Sequence, residues 1–132
     1  MAAVMDPQQE LFTYLKLNLE EAFPGQVYDT FLPPEGTPYP FFYIENSTQN
    51  IQLTKDRVMG RVTQVIKVWH NDPGKRGTVS AMLHAAHELC GKLDRTDNYG
   101  WQIRDVYQRI LPDNTTGTPL LMGILEVTLQ FS

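Results

Sequence analysis

The last twelve residues before the C-terminal serine carry a strand pattern in which one set of alternate positions is apolar or glycine throughout. Odd positions from Leu121 to Phe131 are apolar or glycine, and even positions from Glu126 onward are polar. Because successive side chains of a strand point to opposite faces, this pattern predicts a long β-strand with one buried face. Counted from Leu120, the strand would span about 40 Å at roughly 3.3 Å per residue, which is long for a strand.

Two earlier segments carry apolar residues at the three- and four-residue spacing of amphipathic helices. The first begins at Asp6-Pro7, a capping residue followed by a proline suited to the first helical position, and it ends at Pro24-Gly25. The second follows a turn cluster at residues 71–77, and Thr78 is its predicted cap. The predicted buried stripes are Leu11, Tyr14, Leu15, Leu19 and Ala22 in the first helix, and Val79, Met82, Leu83, Ala86, Leu89, Cys90 and Leu93 in the second.

Other segments rich in β-branched and aromatic residues predict further strands, beside a short candidate at Val27–Asp29. Pro40 lacks an amide hydrogen and is therefore expected at a strand start or on an unpaired side of a strand. We interpret the polar stretch at about 46–60 as a long loop, and loops of this length are usually functional or mobile. The predicted strands are Tyr39–Glu45, Arg61–His70, Trp101–Ile110 and the C-terminal one.

The order of these elements, α-β-β-α-β-β, predicts an α+β fold. We expect an antiparallel (mixed) β-sheet of four to five strands with two α-helices packed on one face. A chain of 132 residues is long enough to bury one core, so residues 1–132 are predicted to form a single domain.

Composition and charge narrow the possible functions. The net charge is −4 and the pI is about 5.2, which argues against a stand-alone DNA- or RNA-binding protein. One cysteine, Cys90, excludes a disulfide within the chain and suits a reducing compartment. We find neither a signal-peptide pattern nor an apolar run long enough to cross a membrane, so we expect a protein made in a cytoplasm, with no membrane partner.

Candidate chemistry is sparse along the sequence. His84, His87 and Cys90 are spaced three residues apart on one predicted helix, and histidine and thiolate are zinc ligands. A structural zinc site needs four ligands, however, and the sequence has no second cluster of such residues. We also find no nucleophile elbow and no glycine-rich phosphate loop. We therefore predict no enzyme activity, no cofactor and no metal, with a small metal-binding regulator or enzyme as an alternative.

The predicted strands carry more apolar surface than two helices can cover. Val106 and Ile110 alternate with Tyr107 and Leu111, so both faces of that strand have apolar residues, and so does the segment around Phe41. An uncovered apolar face is typical of an interface with another subunit. The alternative is that the sheet curls and covers its own second face. The candidate subunit-interface residues are Tyr39, Phe41, Tyr43, Trp69, Val106 and Ile110.

The element order and several phrases resemble the tail terminator proteins of long-tailed bacteriophages, also called tail completion or tail-to-head joining proteins. The phrases are Val27-Tyr28-Asp29 through Glu45, which includes Pro38-Tyr39-Pro40-Phe41-Phe42-Tyr43-Ile44-Glu45, and the strand end Lys67-Val68-Trp69-His70. The helix at 83–93 and the terminal strand fit the same plan, so the resemblance extends over nearly the whole chain.

The resemblance implies a virion structural protein that forms a hexameric ring at the head-proximal end of the tail tube. Such a ring stops tube polymerisation and joins the tail to the head connector or stopper, while double-stranded DNA passes through its lumen without specific binding. A head-completion or connector protein at the portal is the alternative. The polar stretch is the candidate docking loop for the tube or connector, with residues Gln49, Ile51, Gln52, Leu53, Thr54, Lys55, Asp56 and Arg57.

Overall fold

The computed structural model describes residues 5–53, 55–56, 58–115 and 117–132, and within these ranges two helices pack on one face of a five-stranded sheet. The predicted α+β fold is confirmed. The elements are α1 (Pro7–Ala22), β1 (Val27–Asp29), β2 (Phe41–Leu53), β3 (Val58–His70), α2 (Arg76–Lys92), β4 (Trp101–Asp113) and β5 (Leu120–Phe131).

The strands lie in the order β1-β2-β3-β5-β4. Short β1 is parallel to β2, and the other neighbouring strands are antiparallel, so the sheet is mixed as predicted. The C-terminal strand β5 occupies an interior position between β3 and β4. Its alternating pattern follows from this position, because its odd-numbered residues face the helices and are buried.

Helix α1 begins as the sequence predicts. The Asp6 carboxylate accepts a hydrogen bond from the Gln8 amide at 2.9 Å, which satisfies a donor that has no partner inside the helix. Leu11, Leu15 and Leu19 are fully buried against the sheet and α2. Ala22, which we also assigned to the buried stripe, is exposed because it lies at the end of the helix.

Helix α2 begins earlier than predicted. Its N-cap is Lys75, no side chain caps it, and Thr78 lies within the first turn, where its amide donates to the Lys75 carbonyl at 3.1 Å. The predicted cap at Thr78 is therefore wrong, because the turn cluster leads directly into helical backbone. The buried stripe is confirmed, with Leu89 only partly buried.

The predicted loop at about 46–60 is wrong, because β2 and β3 continue through most of it as a hairpin. Pairing extends to Leu53 opposite Val58, so a long loop is replaced by a short connection. Polar side chains are compatible with strands here because the hairpin runs beyond the ends of the core and most of these side chains are exposed. Backbone hydrogen bonding between two strands does not require apolar residues.

A second correction concerns the faces of β4. A bulge between Ile103 and Asp105 adds one residue relative to β5, and this reverses the alternation of side chains. As a result Val106 and Ile110 lie on the helix-covered face and pack against the core. The apolar surplus inferred for the open face from these two residues is therefore wrong.

Candidate functional site

The hairpin formed by β2 and β3 extends past the first turn of α1. Hydrogen bonds between α1 and β2 hold the hairpin at this point, which we call its root. The Gln49 side-chain oxygen accepts from the Gln8 amide at 2.9 Å, and the Gln8 side chain donates to the Ser47 carbonyl at 3.0 Å. Beyond this point lies what we call the hairpin arm, formed by residues 50–53 of β2 and 58–61 of β3. The arm is thus an extension of the sheet with a rigid, hydrogen-bonded base.

Apolar side chains are exposed near the end of the arm. Leu53 pairs with Val58, and Ile51 pairs with Gly60, so Ile51, Leu53 and Val58 share one face. These three side chains, which we call the tip patch, are 52%, 77% and 46% exposed respectively. Exposed aliphatic residues that are adjacent in space indicate a contact surface more strongly than isolated ones do.

The predicted docking residues all fall on this hairpin, as far as the structure describes them. Gln49 lies at the root and is half-buried, Gln52 is exposed on the face opposite the tip patch, and Lys55 and Asp56 are exposed in the connection. Ile51 and Leu53 belong to the tip patch. Thr54 and Arg57 lie outside the described residues.

A cleft lies at the other end of the same hairpin, where the segment between β1 and β2 folds over the open face of the sheet. Its volume is about 210 Å³. We call it the proline cleft, and its main lining residues are Leu32, Pro33, Pro34, Tyr39, Phe41, Trp69 and Leu120. The tyrosine and phenylalanine rings are in contact, with centroids 5.2 Å apart.

Three of the predicted subunit-interface residues meet in this cleft, namely Tyr39, Phe41 and Trp69. Tyr43 lies next to it, and its hydroxyl donates to the Thr30 carbonyl at 3.1 Å. Sequence reasoning missed the contribution of Leu32, although a Phe-Leu pair directly before two prolines was a visible signal. The residue before a proline is disfavoured in helical backbone, and the two side chains, Phe31 and Leu32, are 80% and 66% exposed here.

The open face of the sheet is apolar at one end and polar at the other. At the cleft end Trp69 lies between Phe41 and Met122 across neighbouring strands. Further along, Lys67 forms an ion pair with Glu45 at 2.8 Å, and the hydroxyls of two paired threonines, Thr63 and Thr128, are 2.9 Å apart. Part of the apolar end is covered by the chain's own segment 31–40, so the sheet partly shelters its second face.

The residues of the possible metal site do not converge. Cys90 is fully buried in the core, and burial raises the pKa of its thiol to about 12, which disfavours the thiolate that binds metals. His84 is exposed, and its Nε2 lies 3.0 Å from a Glu88 carboxylate oxygen. Within the described ranges no group of three acidic, histidine or cysteine side chains is arranged to hold a metal ion.

In the part of the chain that the structure describes, we find no helix with the length and apolar character needed to cross a membrane.

The structure is similar to solved protein chains over nearly its whole length, whereas no protein-family model and no curated protein matches the sequence. One similar chain belongs to the virion of a native gene transfer agent particle, with a TM-score of 0.64 and 14% identity over 96% of this chain and 95% of that one. A second solved chain has a TM-score of 0.53 and 17% identity, over 94% and 92% of the two chains. These similarities show that the fold is shared.

Proposed function

We propose that this chain is a virion structural protein, and specifically a tail terminator. In this proposal copies of the chain assemble into a ring that caps the head-proximal end of a tail tube, stops tube growth and provides the surface that joins the tail to the head. The observation that carries the virion role is the similarity, over nearly the whole length of both chains, to a chain of the virion of a gene transfer agent particle.

Two features of the subunit support a role in assembly. The hairpin arm carries an exposed tip patch beyond the core, and the proline cleft offers an apolar depression at the opposite end of the same hairpin. A protein that acts alone gains little from exposed aliphatic side chains, since they favour association with other surfaces. The arm and the cleft are therefore best explained as contacts with other proteins.

The charge of the chain suits a ring through which DNA passes. The net charge of −4 gives no general attraction for phosphates, and strong binding to the lumen would slow DNA movement. A ring of subunits with a net negative charge instead allows DNA to pass through the lumen without specific contacts. The partners in this proposal are copies of the chain itself, the tail tube protein and the head connector or stopper protein.

Deletion of the gene from the genome that encodes the particle tests this proposal directly. We expect electron micrographs to show overlong tails and heads without tails, and we expect the intact gene supplied in trans to restore normal particles. Tails of normal length that remain joined to heads in the deletion strain would refute the proposal.

A pull-down experiment separates the tail terminator from a head-completion protein. We expect the tagged protein to retain purified tail tubes even when no portal complex is present. Retention of the portal complex but not of tubes would assign the chain to the head instead.

A further inference from the structure

We propose that the hairpin arm of one copy inserts its tip patch into the proline cleft of the next copy. The inference rests on the ring proposed above and identifies the contact that closes it. It also gives the tip residues a different partner from the tube or connector to which the sequence assigned them.

The two surfaces are chemically matched. The tip patch presents three aliphatic side chains, Ile51, Leu53 and Val58, on one face of the arm. The cleft presents prolines and aromatic rings around a space of about 210 Å³, which is large enough to admit an aliphatic side chain. Both surfaces are exposed in the isolated chain, so their contact would remove apolar area from water on both sides.

The tip also carries a cation that can pair with a carboxylate at the cleft. Lys55 and Asp56 are both exposed next to the tip patch, and Glu35 is exposed on the rim of the cleft, so Lys55 is the tip residue that can pair with Glu35. An exposed ion pair adds little to affinity, but it favours one orientation over others. The tip of a second copy therefore supplies apolar side chains for the cleft and a cation for its rim.

The geometry excludes a contact within one subunit. Trp69 lies at the cleft and Val58 lies at the tip, at opposite ends of β3. Eleven residue steps along a strand at roughly 3.3 Å each separate them by about 36 Å. A tip can therefore reach a cleft only in another copy, and the contact joins two different surfaces.

A contact between different surfaces has a specific consequence for assembly. Each copy has one tip and one cleft, so copies join head to tail, and the chain of copies closes into a ring when the rotation between neighbours allows it. A contact between two identical surfaces would stop at a dimer. The inferred contact thus has the symmetry that a ring requires.

Disulfide trapping between two variants, each with one added cysteine, tests this contact. Leu53→Cys places a thiol on the tip, Leu32→Cys places one in the cleft, and the native Cys90 does not interfere because it is fully buried. The variants carry different tags, are mixed, and are oxidised both in free solution and on purified tail tubes. We expect a cross-linked product that contains both tags, and no cross-linked product from either variant alone.

Aspartate variants provide the second measurement. Leu53→Asp and Leu32→Asp should each raise the dissociation constant of assembly at least about tenfold, because burying an unpaired carboxylate costs more than the 1.4 kcal/mol that a factor of ten represents. The matched control is Leu17→Asp, since Leu17 is 65% exposed on α1, away from both surfaces. When mixed, the two defective variants should form 1:1 dimers that do not grow, since one intact tip and one intact cleft remain.

The possible results separate this inference from the proposed function. Normal capping of tubes without the mixed cross-link, or a link from the tip to itself or to the tube protein, would overturn the contact and leave the tail terminator proposal intact. The mixed cross-link without capping would overturn the tail terminator proposal and leave the contact. Neither capping nor cross-linking would overturn both.

Discussion

Gln64 shows how one polar side chain determines the shape of the hairpin. It is only 1% exposed, and its amide nitrogen lies within 3.0–3.2 Å of the carbonyls of Glu45, Asn46 and Val65. Two of these carbonyls lie at the irregularity in β2 between Ile44 and Ser47, where regular pairing with β3 is interrupted. The buried glutamine therefore satisfies backbone groups that the bulge leaves without strand partners.

Replacing this side chain by an apolar one of similar shape tests its role. Gln64→Met should lower the free energy of unfolding by about 1–3 kcal/mol, because buried carbonyls lose their donor. Urea denaturation followed by circular dichroism measures the change. The control is Gln52→Met on the exposed arm, which should leave stability nearly unchanged, and equal stability of the two variants would contradict the role of Gln64.

Glu10 links helix α1 to the connection before β4. Burial raises the pKa of its carboxyl, but hydrogen bonds from Thr96 and Asn98 outweigh this effect, so the pKa lies below its ordinary value of 4.5. One of these bonds runs from the Asn98 amide to a carboxylate oxygen at 3.1 Å. A group with a lowered pKa in the folded state stabilises the fold above its unfolded pKa, and this stabilisation is lost as the pH falls through the folded value.

The stability of the protein should therefore fall as the pH drops from 7 to 3, and part of this fall should depend on Glu10. We expect Glu10→Gln to be less stable than the parent at pH 7 and to lose less stability on acidification. Thermal denaturation at a series of pH values measures both effects, with the exposed Glu21→Gln as the control. The assignment fails if Glu10→Gln shows the pH dependence of the parent.

At the scale of elements, Gly123 sets the distance between β5 and α2. A Cβ atom at this position would lie 2.7 Å from Val79 Cγ1 and 2.8 Å from Leu83 Cδ1, which is too close for either contact. The absence of a side chain thus allows the helix to pack directly on the strand. The close packing of α2 on β5 therefore depends on Gly123. From the sequence alone, a glycine inside a strand would be read only as a destabilising residue.

Gly123→Ala should destabilise the protein by about 1–3 kcal/mol, because the added methyl group overpacks the core. Gly91→Ala is the matched control, since that glycine lies in α2 with open space around its Cβ position. Alanine is favoured over glycine in a helix by about 0.5–1 kcal/mol, so the control should gain stability. Thermal unfolding of both variants checks the difference in sign, and a stabilised Gly123→Ala variant would contradict the packing.

Strands and helices that bury one face against the core were predictable from the sequence, and elements that lack a buried face were not. The alternation of β5 and the stripe of α2 reflect burial, which selects apolar residues at a fixed period. The hairpin arm lacks this signal because it extends beyond the core, and its polar residues resembled a loop. On β4, the extra residue at the bulge near Arg104 reversed the faces, so the position of Val106 could not be read from alternation.

The residues of the candidate site likewise include some that the sequence predicted and one that it did not. Tyr39, Phe41 and Trp69 were predicted as interface residues because aromatic side chains exceeded what two helices can cover, and the structure places them together in the cleft. The two prolines after Leu32 could have marked it as an apolar residue outside a helix, but its place beside Trp69 depends on the fold of segment 31–40 over the sheet. Contacts of this kind depend on tertiary structure and become visible only in three dimensions.

At the scale of the whole molecule, folding and assembly should depend on different leucines. Leu125→Asp should prevent folding, because this side chain is fully buried and an unpaired buried charge costs several kcal/mol. Leu53→Asp should fold normally, within about 0.5 kcal/mol of the parent, because its site is at the surface of the isolated subunit. Circular dichroism and size-exclusion chromatography distinguish these outcomes, and an unfolded Leu53→Asp variant would contradict the separation.

The central claim is that copies of this chain form a ring on one end of a tail tube. Cryo-electron microscopy of purified tail tubes, incubated with the protein and then imaged at their ends, tests this claim most directly. We predict a closed ring of density at one end of each tube, and no further tube growth from that end when tube protein is added. Bare ends that continue to elongate, or protein bound along the sides of the tube, would contradict it.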